Sequence, residues 1–159
     1  MMVNFNMFKE NNKNLVTLLV YRRSKTKIRL AKKIYTKLIY LCGADLPENI
    51  KVGNNVSFCH NCLGSVIYDG TIIENNVRIY QNVTIGLSDP MSDALAEFRI
   101  QEGAVLCAGA KILGKGHMVV GRNTIIGANA VLLCSTGDNE VWGGIPARFI
   151  KKRASVNEE

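Results

Sequence analysis

The chain has 159 residues and a mass of 17.5 kDa, room for one domain with its own core and not for two. Hydrophobic residues at 47% and charged residues at 21% fit an ordinary globular protein; no run approaches the ~20 apolar residues of a membrane-spanning helix, and the start lacks the basic flank, apolar run and small-residue site of a secretory signal. The net charge of +7 is lopsided: residues 1–40 hold ten Lys/Arg against one Glu, and residues 41–159 carry a net of −2.

Residues 1–13 are polar and Asn-rich and are expected to be poorly ordered. From Leu15 to Leu41 apolar residues return at helical spacing, first Leu15, Leu18 and Leu19, then Leu30, Ile34, Leu38 and Leu41. Gly43 supplies a helix stop. Arg22, Arg23, Lys25, Lys27, Arg29, Lys32, Lys33 and Lys37 lie between the apolar positions, so residues 1–43 read as a basic amphipathic helical segment with a break near Ser24. Its readings rank in order: a solvated face, then peripheral contact with an anionic membrane surface, then nucleic acid, for which no motif or aromatic platform is present. Five Cys (42, 59, 62, 107 and 134), an odd number without a secretory signal, read as reduced thiols of a cytoplasmic protein, with the inner face of the membrane as its other location.

After Asp45 the period changes. An aliphatic or aromatic residue returns every six positions: Val52 and Phe58; Ile67, Ile73, Ile79 and Ile85; Ile100, Leu106 and Ile112; Val120, Ile126 and Leu132. Four positions later a small or β-branched residue often follows, as at Val56, Thr71, Val77, Val83, Ala104, Ala110, Thr124 and Ala130. Neither the helical period nor strand alternation gives six; a parallel β-helix does, each hexad being one short strand and one corner. Twelve hexads at three per coil predict about four coils. The period breaks after Leu63, around residues 91–99 and near His117, so these are candidate functional loops. The expected layout is the basic segment 1–43, the β-helix 44–153 and a polar tail 154–159.

The hexads, read with Asp45-Leu46-Pro47, Phe58-Cys59-His60-Asn61, Ile79-Tyr80-Gln81-Asn82-Val83-Thr84-Ile85-Gly86, Ala108-Gly109-Ala110-Lys111-Ile112-Leu113-Gly114 and Gly144-Ile145-Pro146-Ala147-Arg148, resemble the hexapeptide-repeat acyltransferases. The branch resembled is serine O-acetyltransferase-like and includes relatives from capsule and exopolysaccharide gene clusters. The resemblance implies a left-handed parallel β-helix, a homotrimer with active sites between subunits, and acetyl-CoA as co-substrate. His60 falls at the motif position of the general base, a task that suits imidazole. Asp45 falls at that of the carboxylate that orients it. Gly86, Ala108 and Ala128 match positions where the family backbone meets the CoA arm, and a backbone N–H near a Gly86 turn is expected to hold the thioester oxygen. Arg148 and Lys151, with Lys152, are expected to meet the cofactor's phosphates, a solvated tail being the alternative.

The chain departs from the serine-specific pattern. Cys59, not Asp, precedes His60, and the loop from Leu87 to Arg99 lacks an Arg-His pair. An amino acid brings two opposite charges that a site must pair. The expected acceptor is therefore a sugar hydroxyl in bacterial surface polysaccharide biosynthesis, bound by Cys59, Asn61, Asp89 and Arg99, with Ser92 and Asp93 as further hydrogen-bonding groups. Serine acetylation with Arg99 as a substitute contact, and a non-catalytic scaffold, are the alternatives. The missing long helical domain argues against a dimer of trimers. Cys59-His60-Asn61-Cys62 lacks further ligands at zinc spacing, so no metal is expected. His117 reads as an exposed turn residue, and Trp142 as a cap on the last coil or a neighbour of the adenine.

Overall fold

A computed structural model describes residues 14–91, 93 and 95–153. The expected disorder of 1–13, the tail 154–159 and the role given to Ser92 lie outside the described residues. Two helices come first, α1 (Leu15–Lys25) and α2 (Arg29–Leu41). Asn14 caps α1, its side chain accepting from the Thr17 N–H at 2.9 Å. The break lies at Thr26, two residues beyond the expected Ser24: its backbone is extended (φ −81°, ψ 141°) and its hydroxyl accepts from the Ile28 N–H.

Beyond the helices the chain winds into a three-sided prism of parallel strands. The first face stacks β1 (Lys51–Val52), β3 (Ile72–Ile73), β6 (Ala96–Ile100) and β9 (Gly116–Val120). The second stacks β2 (Ser57–Phe58), β4 (Arg78–Ile79), β7 (Val105–Leu106), β10 (Ile125–Ile126) and β12 (Glu140–Gly144), with β13 (Ala147–Lys152) folded back antiparallel on β12. The third stacks β5 (Thr84–Leu87), β8 (Lys111–Gly114) and β11 (Val131–Leu132), extended toward the N-terminus by bridges Val66–Thr84 and Asp45–Val66.

The six-residue period works through three columns of side chains inside the prism. Val52, Ile73, Ile100 and Val120 are in register on the first face. Phe58, Ile79, Leu106, Ile126 and Trp142 align on the second. Ile85, Ile112 and Leu132 align on the third. Every hexad start except Val52 is buried, and so are the small corner residues from Val56 to Ala130. Just before a corner residue the backbone turns left-handed, at Asn55, Asn76, Asn82, Gly103, Gly109, Asn123 and Asn129. Asn is one of the few residues with a Cβ that visits this conformation routinely.

Two breaks in the period differ from their expected extent. The nine residues around 91–99 are not all loop: Ala96–Ile100 is β6, where Phe98 is buried and packs edge-on against Tyr68 with ring centroids 5.4 Å apart. The excursion is thus 88–95. His117 is not in a turn but in β9, exposed, with its Nδ1 3.5 Å from Glu97 on β6. The two strands pair over five rungs, which carries His117 into the sheet.

The α1–α2 hairpin covers the N-terminal end of the prism. Val16, Leu19 and Val20 of α1 join the core, and the Thr17 hydroxyl accepts from the Phe58 N–H on the outermost strand of the second face. Arg23 is buried and donates to the Thr36 hydroxyl and, at 2.7 Å, to the Leu46 carbonyl; burial pushes its pKa down.

Candidate functional site

The edge between the second and third faces carries the candidate base. After Phe58 the chain makes a tight turn, Cys59–Cys62, in which His60, Asn61 and Cys62 have φ of 52°, 54° and 50°. Left-handed backbone on successive residues with side chains persists only when surroundings impose it. The N-terminal end of α1 imposes it here. Asn61 Oδ1 accepts from the Val16 N–H at 3.3 Å, and Asn14 Nδ2 donates to the Phe58 carbonyl at 2.7 Å. Cys62, fully buried, points its Sγ at the carbonyls of Ile79 and Tyr80.

The turn leaves the His60 side chain exposed, its ring 6.0 Å from that of Tyr80 and tilted 47° to it. Cys59 is buried beside it, and the thiol is hydrogen-bonded to Tyr80. Burial pushes the Cys59 thiol up, against the pull of Arg78 and its hydrogen bonds. Burial drives Cys62 up further, to about 12. Both are neutral thiols at neutral pH. Nothing with a formal negative charge therefore stands at the position before the base.

Asp45 occupies the first rung of the third face. Its N–H donates to the Ser65 carbonyl and its own carbonyl accepts from Ile67. Its carboxylate is exposed and forms neither a hydrogen bond nor an ion pair with His60. The expected dyad contact is thus not made in this conformation.

Below His60 the same edge is lined with small residues. Tyr80 and Cys107 take successive places beyond the second face, their N–H groups on the Leu106 and Ile126 carbonyls. Gln81, Ala108 and Ala128 take the next: Gly109 N–H donates to the Gln81 carbonyl and Asn129 N–H to the Ala108 carbonyl, each at 2.9 Å. Ala108 and Ala128 therefore lie one coil apart on the edge that carries His60. Gly86 lies on the adjoining face within β5, opposite Leu113, rather than in the turn expected. A Cβ at Gly86 would meet nothing within 4 Å, and its φ is not left-handed, so neither this copy's packing nor its backbone demands glycine.

The remaining expected residues lie elsewhere. Asp89 is on the 88–95 excursion, which leaves the edge between the third and first faces; its carboxylate accepts from the Met91 N–H. Asp93 shares that excursion and is exposed. Arg99 is on β6, not in the loop, and is tied to Glu74 at 2.8 Å. Arg148 and Lys151 are exposed on β13 at the far end of the prism, with Lys152 held by Glu140 at 3.0 Å. Trp142 donates to Glu140 and packs edge-on against Phe149. Within one copy, then, Cys59, His60, Asn61, Ala108 and Ala128 share an edge, and Asp89 and Arg99 do not join them. No group of three or more His, Cys, Asp or Glu is placed to hold a metal among the described residues.

Tyr80 and Gln81, which the motifs do not mark as site residues, also line this edge. Gln81 Oε1 is buried without a hydrogen-bond partner among the described residues. The signal for Tyr80 was present: it follows the hexad start Ile79 as Cys59 follows Phe58, so both had to meet at the same edge.

No protein-family model matches the chain. Among characterised proteins, it is 32% identical over 123 residues to the serine acetyltransferase of Haemophilus influenzae, covering 77% of this chain and 45% of that protein. The solved serine acetyltransferase in complex with cysteine superposes with a TM-score of 0.66 at 29% identity, over 86% of this chain and 52% of that one. The Brucella abortus enzyme in complex with coenzyme A gives a TM-score of 0.64 at 27% identity, over 85% and 52%. The chain spans about half the length of these relatives. The prism is a left-handed β-helix of hexapeptide repeats, the fold of these neighbours.

Proposed function

We propose that this hexapeptide-repeat β-helix, similar to the serine acetyltransferases, is an acetyl-CoA-dependent O-acetyltransferase with His60 as general base. The observation that carries this reading is the shared edge: an exposed imidazole on an imposed left-handed turn, above a column of small residues, in the fold of a relative solved with coenzyme A. His60 takes the acceptor hydroxyl proton as that oxygen attacks the thioester carbon, and returns it to the departing CoA thiolate. Asp45 swings onto the imidazole to orient it and stabilise the imidazolium. Ala108 and Ala128 let the pantetheine arm lie flat along the edge, and the open space over Gly86 gives it room. Arg148 and Lys151, both exposed on β13, meet its phosphates. The active form is a homotrimer whose sites lie between copies, which brings the Asp89 excursion of one copy toward the His60 edge of another.

The names of the relatives support serine as the acceptor, and the leading reading is serine O-acetylation, a step of cysteine biosynthesis. The sugar hydroxyl expected from the sequence has no support among them. A second reading, an uncharged hydroxyl acceptor, is kept for one observation: the two groups nearest to serving serine's charges do not serve them, Cys59 being a neutral thiol and Arg99 already paired with Glu74. The test is release of free CoA from acetyl-CoA by wild type and His60→Ala, with serine, sugars and nucleotide sugars as acceptors. Turnover with serine that is lost in the variant supports the leading reading. Turnover with a sugar alone selects the second. Undiminished turnover in His60→Ala overturns the mechanism.

A further inference from the structure

We propose that the outer face of the α1–α2 hairpin docks on an anionic lipid bilayer, seating the prism end-on at the membrane surface. No helix among the described residues is long and apolar enough to cross a membrane, so this is contact with a surface and not insertion across it. Two observations on the hairpin carry the inference.

The first is an uncovered aliphatic stripe. Only Ile39 of α2 is buried, although the helix is strongly amphipathic. Leu30, Ile34, Leu38 and Leu41 follow one another at spacings of four, four and three, which puts them on one side of the helix. They are 68%, 52%, 40% and 73% exposed. The second is charge. Residues 14–41 contain eight Lys/Arg and no Asp or Glu. Arg23 is spent internally and Lys25 lies 5.6 Å from the centre of the Tyr21 ring, and among the described residues none of the others is in an ion pair. Lys33 and Lys37 each sit one position before a stripe residue, so they flank it along its length. Arg22, Lys25, Lys27 and Arg29 gather where the two helices meet.

An aliphatic stripe edged by cations matches an interface of acyl chains beneath anionic headgroups. The other occupants fit one half of the pattern each. A second copy would bury the stripe but set two cation clusters against each other. A nucleic acid would pair the cations but leave the leucines in water. The hairpin also sits at the right place, on the end of the prism opposite β13, where nothing else in the described chain covers it.

The test is co-flotation of the full chain with phosphatidylglycerol-containing vesicles and with pure phosphatidylcholine vesicles, at low and high salt. Wild type is expected to float at least tenfold more strongly with the anionic vesicles and to lose most of that advantage in high salt. Lys33→Gln with Lys37→Gln should weaken binding about fivefold per cation removed. Ile34→Ser with Leu38→Ser should weaken it at least tenfold while circular dichroism and CoA release stay at wild-type levels. Wild type that stays at the bottom of the gradient with anionic vesicles overturns the proposal, as does equal binding to both vesicle types. If Ile34→Ser with Leu38→Ser instead dissociates an oligomer in sedimentation, the stripe belongs to a subunit contact and the proposal also fails.

Discussion

His60, Asn61 and Cys62 concentrate the backbone strain of the molecule, three successive left-handed residues each with a side chain. Such a conformation costs roughly 1–2 kcal/mol per residue. Asn61 is the keystone, because its side chain ties the turn to the first turn of α1. Asn61→Gly and Asn61→Ala both lose the bond to Val16, so both should lower stability relative to wild type. Asn61→Ala, which in addition holds a Cβ in left-handed backbone, should be about 1–2 kcal/mol less stable than Asn61→Gly in urea unfolding. Equal stability of the two variants would show that the turn is not strained. The thiols beside this turn give a pH prediction. Cys62 is raised from 9.0 to about 12, so folding disfavours its thiolate. The stability this contributes is whole below pH 9 and is lost as pH climbs toward 12, at about 1.4 kcal/mol per pH unit. Cys62→Ala should therefore flatten the alkaline loss of stability relative to wild type. In the native chain at pH 8, alkylation followed by peptide mapping should label exposed Cys134 and spare buried Cys59 and Cys62. His60 was legible from its motif, but the turn that presents it was not. Nothing local in Cys-His-Asn-Cys favours left-handed backbone at three positions; contact with α1, forty-five residues away, imposes it.

At the scale of the coil, corners are where the sequence specifies the fold most tightly. Gly103 and Gly70 both have a left-handed φ, +70° and +74°. They differ in their neighbours: a Cβ on Gly103 would collide with the Asn123 amide of the next coil, and one on Gly70 would meet nothing within 4 Å. Gly70→Ala should cost about 1 kcal/mol, the backbone term alone. Gly103→Ala should cost clearly more, since Asn123 must move and loosen its side-chain bond to Asn139. Urea denaturation of the pair measures the difference, and equal costs would show that the coils are not stacked as tightly as the Asn123 contact requires. The strands themselves were readable because a period of six leaves a trace in every coil. The extents of the irregular parts were not. Phe98 is off the hexad register, yet it fills the prism against Tyr68 and thereby converts the end of an apparent loop into β6. That pairing joins residues thirty positions apart and has no local signature.

For the whole molecule, the decisive feature is that one prism presents its candidate site residues on different edges. His60, Ala108 and Ala128 lie between the second and third faces, and Asp89 leaves the edge between the third and first. Arg99 points its charge into Glu74 on yet another part of the surface. A site that uses both His60 and the Asp89 excursion must then draw them from two copies. This yields a complementation experiment. His60→Ala removes the base from one edge, and Asp89→Arg, a bulky cation on the exposed excursion, spoils the other edge without touching the core. His60→Ala alone should lose CoA release by at least about a hundredfold, and Asp89→Arg alone should lose most of it. If the two chains are mixed by unfolding and refolding together, the proposed trimer would bring an intact His60 edge against an intact Asp89 excursion in about a quarter of its sites. Roughly a quarter of wild-type activity should therefore return, with wild-type KM for acetyl-CoA, because the recovered sites are complete. No recovery, with trimers confirmed by sedimentation, would place both residues' work within one copy or remove Asp89 from the site. Full activity of Asp89→Arg alone would remove Asp89 directly and leave the His60 edge to do the chemistry with a partner surface other than this excursion.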